Sequence, residues 1–145
     1  MLLVCRFFCY ICFMIGVIIP DRGDRPEFLE NCLRMLKAQT MQPTIIEIVN
    51  DAPLSDEKDI TLRYRLGYER LRNKKIEVIA LIENDDWYAP NYLETMYNKW
   101  LELDKPQLLG QSYTIYYHIK ERAWFTMNHP ERSSAMNTFI KPDLI

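Results

Sequence analysis

Three carboxylates fall within four residues at Glu83-Asn84-Asp85-Asp86, directly after the apolar run 76–82 and directly before Trp87-Tyr88-Ala89-Pro90. Acidic groups this close repel one another unless a positive charge lies among them. A hard divalent cation such as Mg2+ or Mn2+ supplies that charge, taking a few carboxylate oxygens and leaving its other positions to water and substrate phosphates. Such a site suits a diphosphate. Two other apolar runs also end in polar residues: 14–19 is followed, past Pro20, by Asp21 and Arg22, and 45–49 by Asn50 and Asp51. The bland reading of the acidic run is a set of residues capping the helix that begins near Pro90 and favouring its positive dipole end. The strand-like run before it and the aromatic segment after it favour metal binding.

Chemistry drawn from three strand ends needs a sheet to bring them together. Residues 14–19 form a continuous apolar run that reads as a strand covered on both faces, as in a parallel sheet. Pro26 then opens a helix over 27–39, since proline is tolerated in the first turn, with Phe28, Leu29, Cys32, Leu33 and Leu36 recurring on one face. The β-branched run 45–49 predicts a second strand, and Ser55 is placed to cap a helix over 56–73. That helix carries Ile60, Tyr64, Gly67, Tyr68 and Leu71 at helical spacing and basic residues on its other face. Residues 76–82 predict a third strand, and 91–103 a third helix burying Tyr92, Leu93, Met96, Trp100 and Leu101.

Strand and helix alternating three times specify an α/β unit with a mainly parallel sheet and right-handed crossovers. Ligands of such sheets bind at the carboxyl ends of the strands, which is where the polar residues stand. Residues 108–119 and 123–127 then read as two strands around Lys120-Glu121-Arg122, a hairpin added beside the sheet. Residues 133–145 carry no stop signal, and the expectation is a chain incomplete at its C-terminus.

The chain has 145 residues, 18 Lys+Arg against 20 Asp+Glu, a net charge of -2, 48% hydrophobic residues and four Gly. Folding a chain of this size buries about 70% of the unfolded surface, so it forms one ordinary core, and no repeat or linker divides it. Near-neutral charge with interspersed signs gives no broad basic face, which excludes a general nucleic-acid binder. Cys5, Cys9, Cys12 and Cys32 lack zinc-ligand spacing and read as small buried hydrophobes in a reducing, cytoplasmic setting.

Residues 1–19 are apolar but for Arg6, close to the length of about 20 that spans a bilayer, so a signal anchor competes with the strand. The strand reading is preferred. It leaves 1–13 as a hydrophobic extension, too short to cross a membrane yet able to associate with one, and 14–145 as the folded domain. An upstream start, with Met14 as the natural one, is a further alternative, and no small-residue cleavage site marks a secretory signal.

The succession Val17-Ile18-Ile19-Pro20, Arg22-Gly23-Asp24-Arg25-Pro26-Glu27-Phe28-Leu29, Cys32-Leu33 and Ala38-Gln39-Thr40 resembles the opening of glycosyltransferase family 2, nucleotide-sugar transferases of the GT-A fold. Ile48-Val49-Asn50-Asp51 resembles that family's second strand and its nucleotide-binding acidic residue. Glu83-Asn84-Asp85-Asp86-Trp87-Tyr88, with Pro90 and Tyr92-Leu93, resembles its D-x-D-D segment. The likeness covers residues 14–103 clearly and the rest loosely.

This resemblance implies a GT-A-like, Rossmann-like sheet and transfer of a sugar from a nucleoside-diphosphate donor to a glycan or other hydroxyl acceptor, with Mg2+ or Mn2+ as cofactor. Pro20, Asp21 and Arg22 would line the nucleotide pocket, Asp51 would accept a hydrogen bond from the base, and Asp85 would sit near the ribose and metal. Asp86, with Glu83 and Asp85, would hold the metal on the diphosphate. Arg63 or Arg65 would reach the base or phosphates only if not simply solvated.

Asp21 stands where the family has Thr, and Glu83 where it has a shorter acid. The general base lies in a later part of the family's domain, so no catalytic residue is assigned. The alternative is therefore a truncated, non-catalytic nucleotide-binding module. A sugar-nucleotide pyrophosphorylase would need a glycine-rich basic first loop, which Arg22-Gly23-Asp24-Arg25 is not. That segment's integrin-type tripeptide reads as a turn, and His118 and His129 as surface or hydrogen-bonded strand-end residues. His129 with Arg132 could approach the diphosphate from the hairpin, and Trp87 could flank a sugar.

Overall fold

A computed structural model describes residues 14–53, 56–118 and 120–144. Its first half alternates strand and helix: β1 (Ile15–Pro20), α1 (Pro26–Lys37), β2 (Ile45–Val49), α2 (Asp59–Leu71), β3 (Val78–Leu81) and α3 (Tyr92–Glu102). Then come β4 (Leu108–Gly110), β5 (Tyr113–His118), β6 (Ala123–Asn128), a 3-10 turn (Ala135–Asn137) and β7 (Thr138–Ile140). Five strands form one sheet in the order β2-β1-β3-β7-β4. β1 lies parallel to both β2 and β3, and β7 runs antiparallel between β3 and β4. The result is a mixed α/β architecture whose mainly parallel central sheet is flanked by helices, compatible with a Rossmann-like glycosyltransferase fold.

The period of two along the buried strands divides the core into two layers. Ile15, Val17 and Ile19 of β1 and Val78 and Ala80 of β3 pack with Cys32, Leu36, Leu93, Met96, Tyr97 and Trp100 from α1 and α3. Ile18, Ile79 and Leu81 face the other way, with Val49 and with Leu71 of α2. A Cβ on Gly67 would lie 2.5 Å from Ile18 Cγ2, so glycine there lets α2 lie directly on β1. This helix is thus packed on the sheet along Leu62, Arg63, Gly67 and Leu71, while Ile60, expected on the apolar side, is exposed.

Several boundaries and packing assignments differ from expectation. Helix α2 begins at Asp59 with Lys58 at its N-cap and no side-chain cap bond, and Ser55 lies outside the described residues. In α3 the buried set includes Tyr97, and Leu101 is exposed. Residues 108–119 are not one strand: β4 joins the main sheet through β7, and β5 pairs with β6 in a separate two-stranded sheet rather than beside the parallel strands. Strand β7, only three residues long, supplies Phe139 to the core beside Ala80 and Leu109.

Among the described residues, no helix is long and apolar enough to cross a membrane. The extension 1–13, with Cys5, Cys9 and Cys12, lies outside them.

Candidate functional site

The parallel pairing β2-β1-β3 sets the carboxyl ends of three strands at one edge, and backbone bonds extend the ladder just beyond them. Asp21 N–H donates to Val49 O at 3.0 Å, and Ile82 N–H to Ile18 O at 3.0 Å. Asp21, 4% exposed, is fixed by its side chain as well: Asn84 Nδ2 donates to its carboxylate at 2.9 Å. Asp21, directly after the first strand, thus ties that strand to the acidic loop.

The loop after β3 is folded back on itself. Glu83 N–H donates to the buried Tyr88 hydroxyl at 2.9 Å, and Gln39 clamps the start of α3, donating to Ala89 O at 2.8 Å and accepting from Leu93 N–H at 2.9 Å. Helix α3 starts with Asn91 at its N-cap and no side-chain cap bond, so Glu83, Asp85 and Asp86 do not cap it. Instead each of the three offers a carboxylate oxygen, and all three oxygens lie within 4.8 Å of one another.

Beside them is a cavity of about 350 Å³ lined by Pro20, Arg22, Arg25, Asp59, Arg63, Glu83, Asn84 and Asp85, among others. Arg25 Nη1 donates to Asp85 Oδ2 at 2.9 Å. Asp86 Oδ2 is buried and has no hydrogen-bond partner. Burial, then the Asp85 charge, pushes Asp86 up to about 6. Burial, then the charges of Asp86 and Asp85, raises Glu83 as well, against a lowering contribution from the Tyr64 hydroxyl. Carboxyls held above their usual range by desolvation and by one another form a site that an added cation would relieve. Behind them Cys32 is buried in α1, its thiol pushed up to about 12 by burial and by Asp86 and Asp85, which makes it inert packing.

Pro20, Arg22, Glu83 and Asp85 all line the cavity, with Asp86 joined to it through the carboxylate cluster. Asp51 stands apart at the end of β2, where Arg70 Nη2 donates to both its carboxylate oxygens at 2.9 and 3.1 Å. That guanidinium holds Asp51 below the usual carboxylate range. Arg65 is exposed and paired with Glu57. Arg63 is neither solvated nor free: it is 8% exposed, and Nη1 donates to Asp21 O at 2.7 Å and Val49 O at 2.9 Å while Nε meets Asp59 at 3.0 Å. Its helical position put it among exposed basic neighbours, and only the meeting of β1 and β2 beneath it shows why it is buried. His118 Nδ1 accepts from Glu121 N–H at the hairpin turn, and Trp87 beside the acidic loop is 76% exposed.

No protein-family model matches the chain. A protein of Bacillus subtilis (strain 168) named "Putative glycosyltransferase EpsH" is 34% identical over an alignment of 87 residues, taking in 48% of this chain and 25% of that protein. The match therefore spans about a quarter of the relative's length. It supports a glycosyltransferase relationship at that coarse level.

Proposed function

We propose that the chain is the donor-binding part of a metal-dependent glycosyltransferase of the GT-A type and family 2, moving a sugar from a nucleoside diphosphate to an acceptor hydroxyl on a glycan or another molecule. The observation that carries this reading is the buried, unpartnered Asp86 Oδ2 inside a cluster of three carboxylates at the carboxyl edge of a parallel sheet. An acidic turn that served only to start a helix would leave its carboxylates on backbone N–H groups or in water. The likeness to a glycosyltransferase-named protein supports the same direction.

The donor set is all carboxylate oxygen, which suits Mg2+ or Mn2+, and Glu83, Asp85 and Asp86 would hold the ion. When bound, the ion supplies Lewis-acid stabilisation of the charge that develops on a departing nucleoside diphosphate. The chain's own residues do the rest. Arg22, exposed on the cavity wall, would meet phosphate oxygens, Pro20 gives a rigid apolar wall, and Arg63 holds the ends of β1 and β2 together beneath the cavity. The Asn84–Asp21 bond keeps the acidic loop in register with β1. Asp51 keeps the base-recognition role, its carboxylate held ionised and oriented by Arg70. The proposal sets the protein in the cytoplasm, with membrane association through residues 1–13 as the alternative.

No general base is assigned, so the same donor site would also serve a non-catalytic nucleotide-sugar-binding module. Calorimetric titration of the full chain with UDP, GDP and dTDP, each with Mn2+ and with EDTA, tests the shared premise. Metal-dependent binding of one nucleotide, lost in Asp86→Ala, is the expected result; no binding of any nucleotide refutes the reading. Sugar release from the matching donor in the presence of an acceptor then separates enzyme from module.

A further inference from the structure

Among the described residues, the cation ion-paired with the three-carboxylate cluster is Arg25, at 2.9 Å from Asp85 Oδ2. The other two guanidiniums on the cavity are committed elsewhere. Arg22 pairs with Asp24 at 3.2 Å, and Arg63 is spent on two backbone carbonyls and Asp59. Beyond Asp85, the contacts that hold Arg25 are longer. Arg25 occupies the N-cap position of α1 without capping it, its guanidinium lies 5.0 Å over the Phe28 ring, and its Nε is buried without a hydrogen bond, with an Asp24 oxygen 3.8 Å away. Its side chain is 36% exposed, so it has room to leave.

We infer that Arg25 is a resident counter-ion for the cluster, holding Asp85 while the divalent cation is absent and giving up that carboxylate when the cation arrives. The inference rests on the metal-holding reading above. Three carboxylates within 4.8 Å need positive charge to stay together, and a single contact to one of the three is a partial, reversible supply. A guanidinium bound to Asp85 competes for the oxygen that a cation would take, and its charge repels a second cation at short range. Arg25 therefore sets the affinity of the site downward. Its removal should tighten metal binding, opposite in sign to the loss expected if the Arg25 bond merely orients Asp85 as a ligand.

The experiment titrates the full chain, freed of metal with EDTA and dialysed, with Mn2+ alone, following bound ion by calorimetry and by water-proton relaxation. Wild type, Arg25→Gln and Arg25→Lys are compared, with circular dichroism to establish that each folds. The expected result is Mn2+ binding about three- to tenfold tighter in Arg25→Gln, the scale of a partly exposed ion pair, and near-wild-type binding in Arg25→Lys. Thermal unfolding in EDTA should fall in Arg25→Gln and recover on adding Mn2+. Wild-type binding with equal or weaker binding in Arg25→Gln overturns the counter-ion role and leaves the metal reading standing. Absence of Mn2+ binding in wild type and Arg25→Gln alike overturns the metal reading, and this inference with it.

Discussion

The Asn84 side-chain amide donates a 2.9 Å hydrogen bond to the Asp21 carboxylate, joining two buried polar residues 63 positions apart in the chain. That bond spans the gap between the end of β1 and the acidic loop, so the cavity's two walls are one mechanical unit. Asn84→Ala leaves the carboxylate desolvated and unpartnered, at a cost of about 1–3 kcal/mol. Asn84→Asp should cost more, by setting one carboxylate against another. Urea unfolding of the two variants checks the order, and Asn84→Asp equal to wild type would show that the contact carries no stability.

Asp86 gives a pH signature in metal-free protein. Its carboxyl stands at about 6 when folded against about 3.9 for an unperturbed Asp, so the folded state binds that proton more tightly than the unfolded one. The stability this provides is fully present below about pH 4 and lost as pH rises through about 6. At neutral pH Asp86→Asn should therefore be the more stable protein, by about 1 kcal/mol after discounting for partial solvation, with the difference vanishing near pH 4. Excess Mn2+ at pH 7 should reverse the ranking. Chemical denaturation in EDTA across this range reads the effect, and an Asp86→Asn protein less stable at pH 7 would contradict it.

Arg63 joins the ends of β1 and β2 through the carbonyls of Asp21 and Val49. Arg63→Ala should cost about 2–4 kcal/mol, because charge-assisted bonds are lost to buried acceptors. Arg63→Lys should recover little, since one ammonium cannot reproduce a planar fork that meets two carbonyls with Nη1 and a carboxylate with Nε. Midpoints of thermal unfolding for the two variants test this, and full rescue by lysine would show that charge alone matters.

Gly67 and Ile18 make a steric pair. A Cβ on residue 67 would meet Ile18 Cγ2 at 2.5 Å, so Gly67→Ala must push α2 off the sheet, at about 1–3 kcal/mol. Ile18→Ala opens the space, and the double variant should be less unstable than the two single costs added together. A double-mutant cycle measures that coupling, and strict additivity would mean the helix moves without strain.

The alternation of helix and strand through residue 102 was legible because each element carries its own signal: β-branched runs for β1 and β2, a proline at the start of α1, helical spacing for α3. The acidic cluster was legible because its members are neighbours in sequence. What escaped depended on distant partners. Strand β7 is three residues without alternation and becomes a strand only between β3 and β4. Arg63 resembles any basic residue on a helix until two strand ends pass beneath it, and the Gln39 clamp on α3 is made across 50 and 54 positions. Asp21 reads from sequence as a residue lining the nucleotide pocket, and its bond to Asn84, 63 positions on, is visible only in the fold.

The insertion of β7 between β3 and β4 also orders events in time. The parallel trio closes with contacts made by residue 82, whereas the β3 edge away from β1 waits for residues 138–140 to arrive from the far side of the hairpin. Until then β3 presents unpaired backbone amides next to apolar side chains, the kind of edge that captures other chains. Closing that distance adds loop entropy to a late step, so the arrival of residues 138–140 governs when this edge of the nascent sheet stops being adhesive.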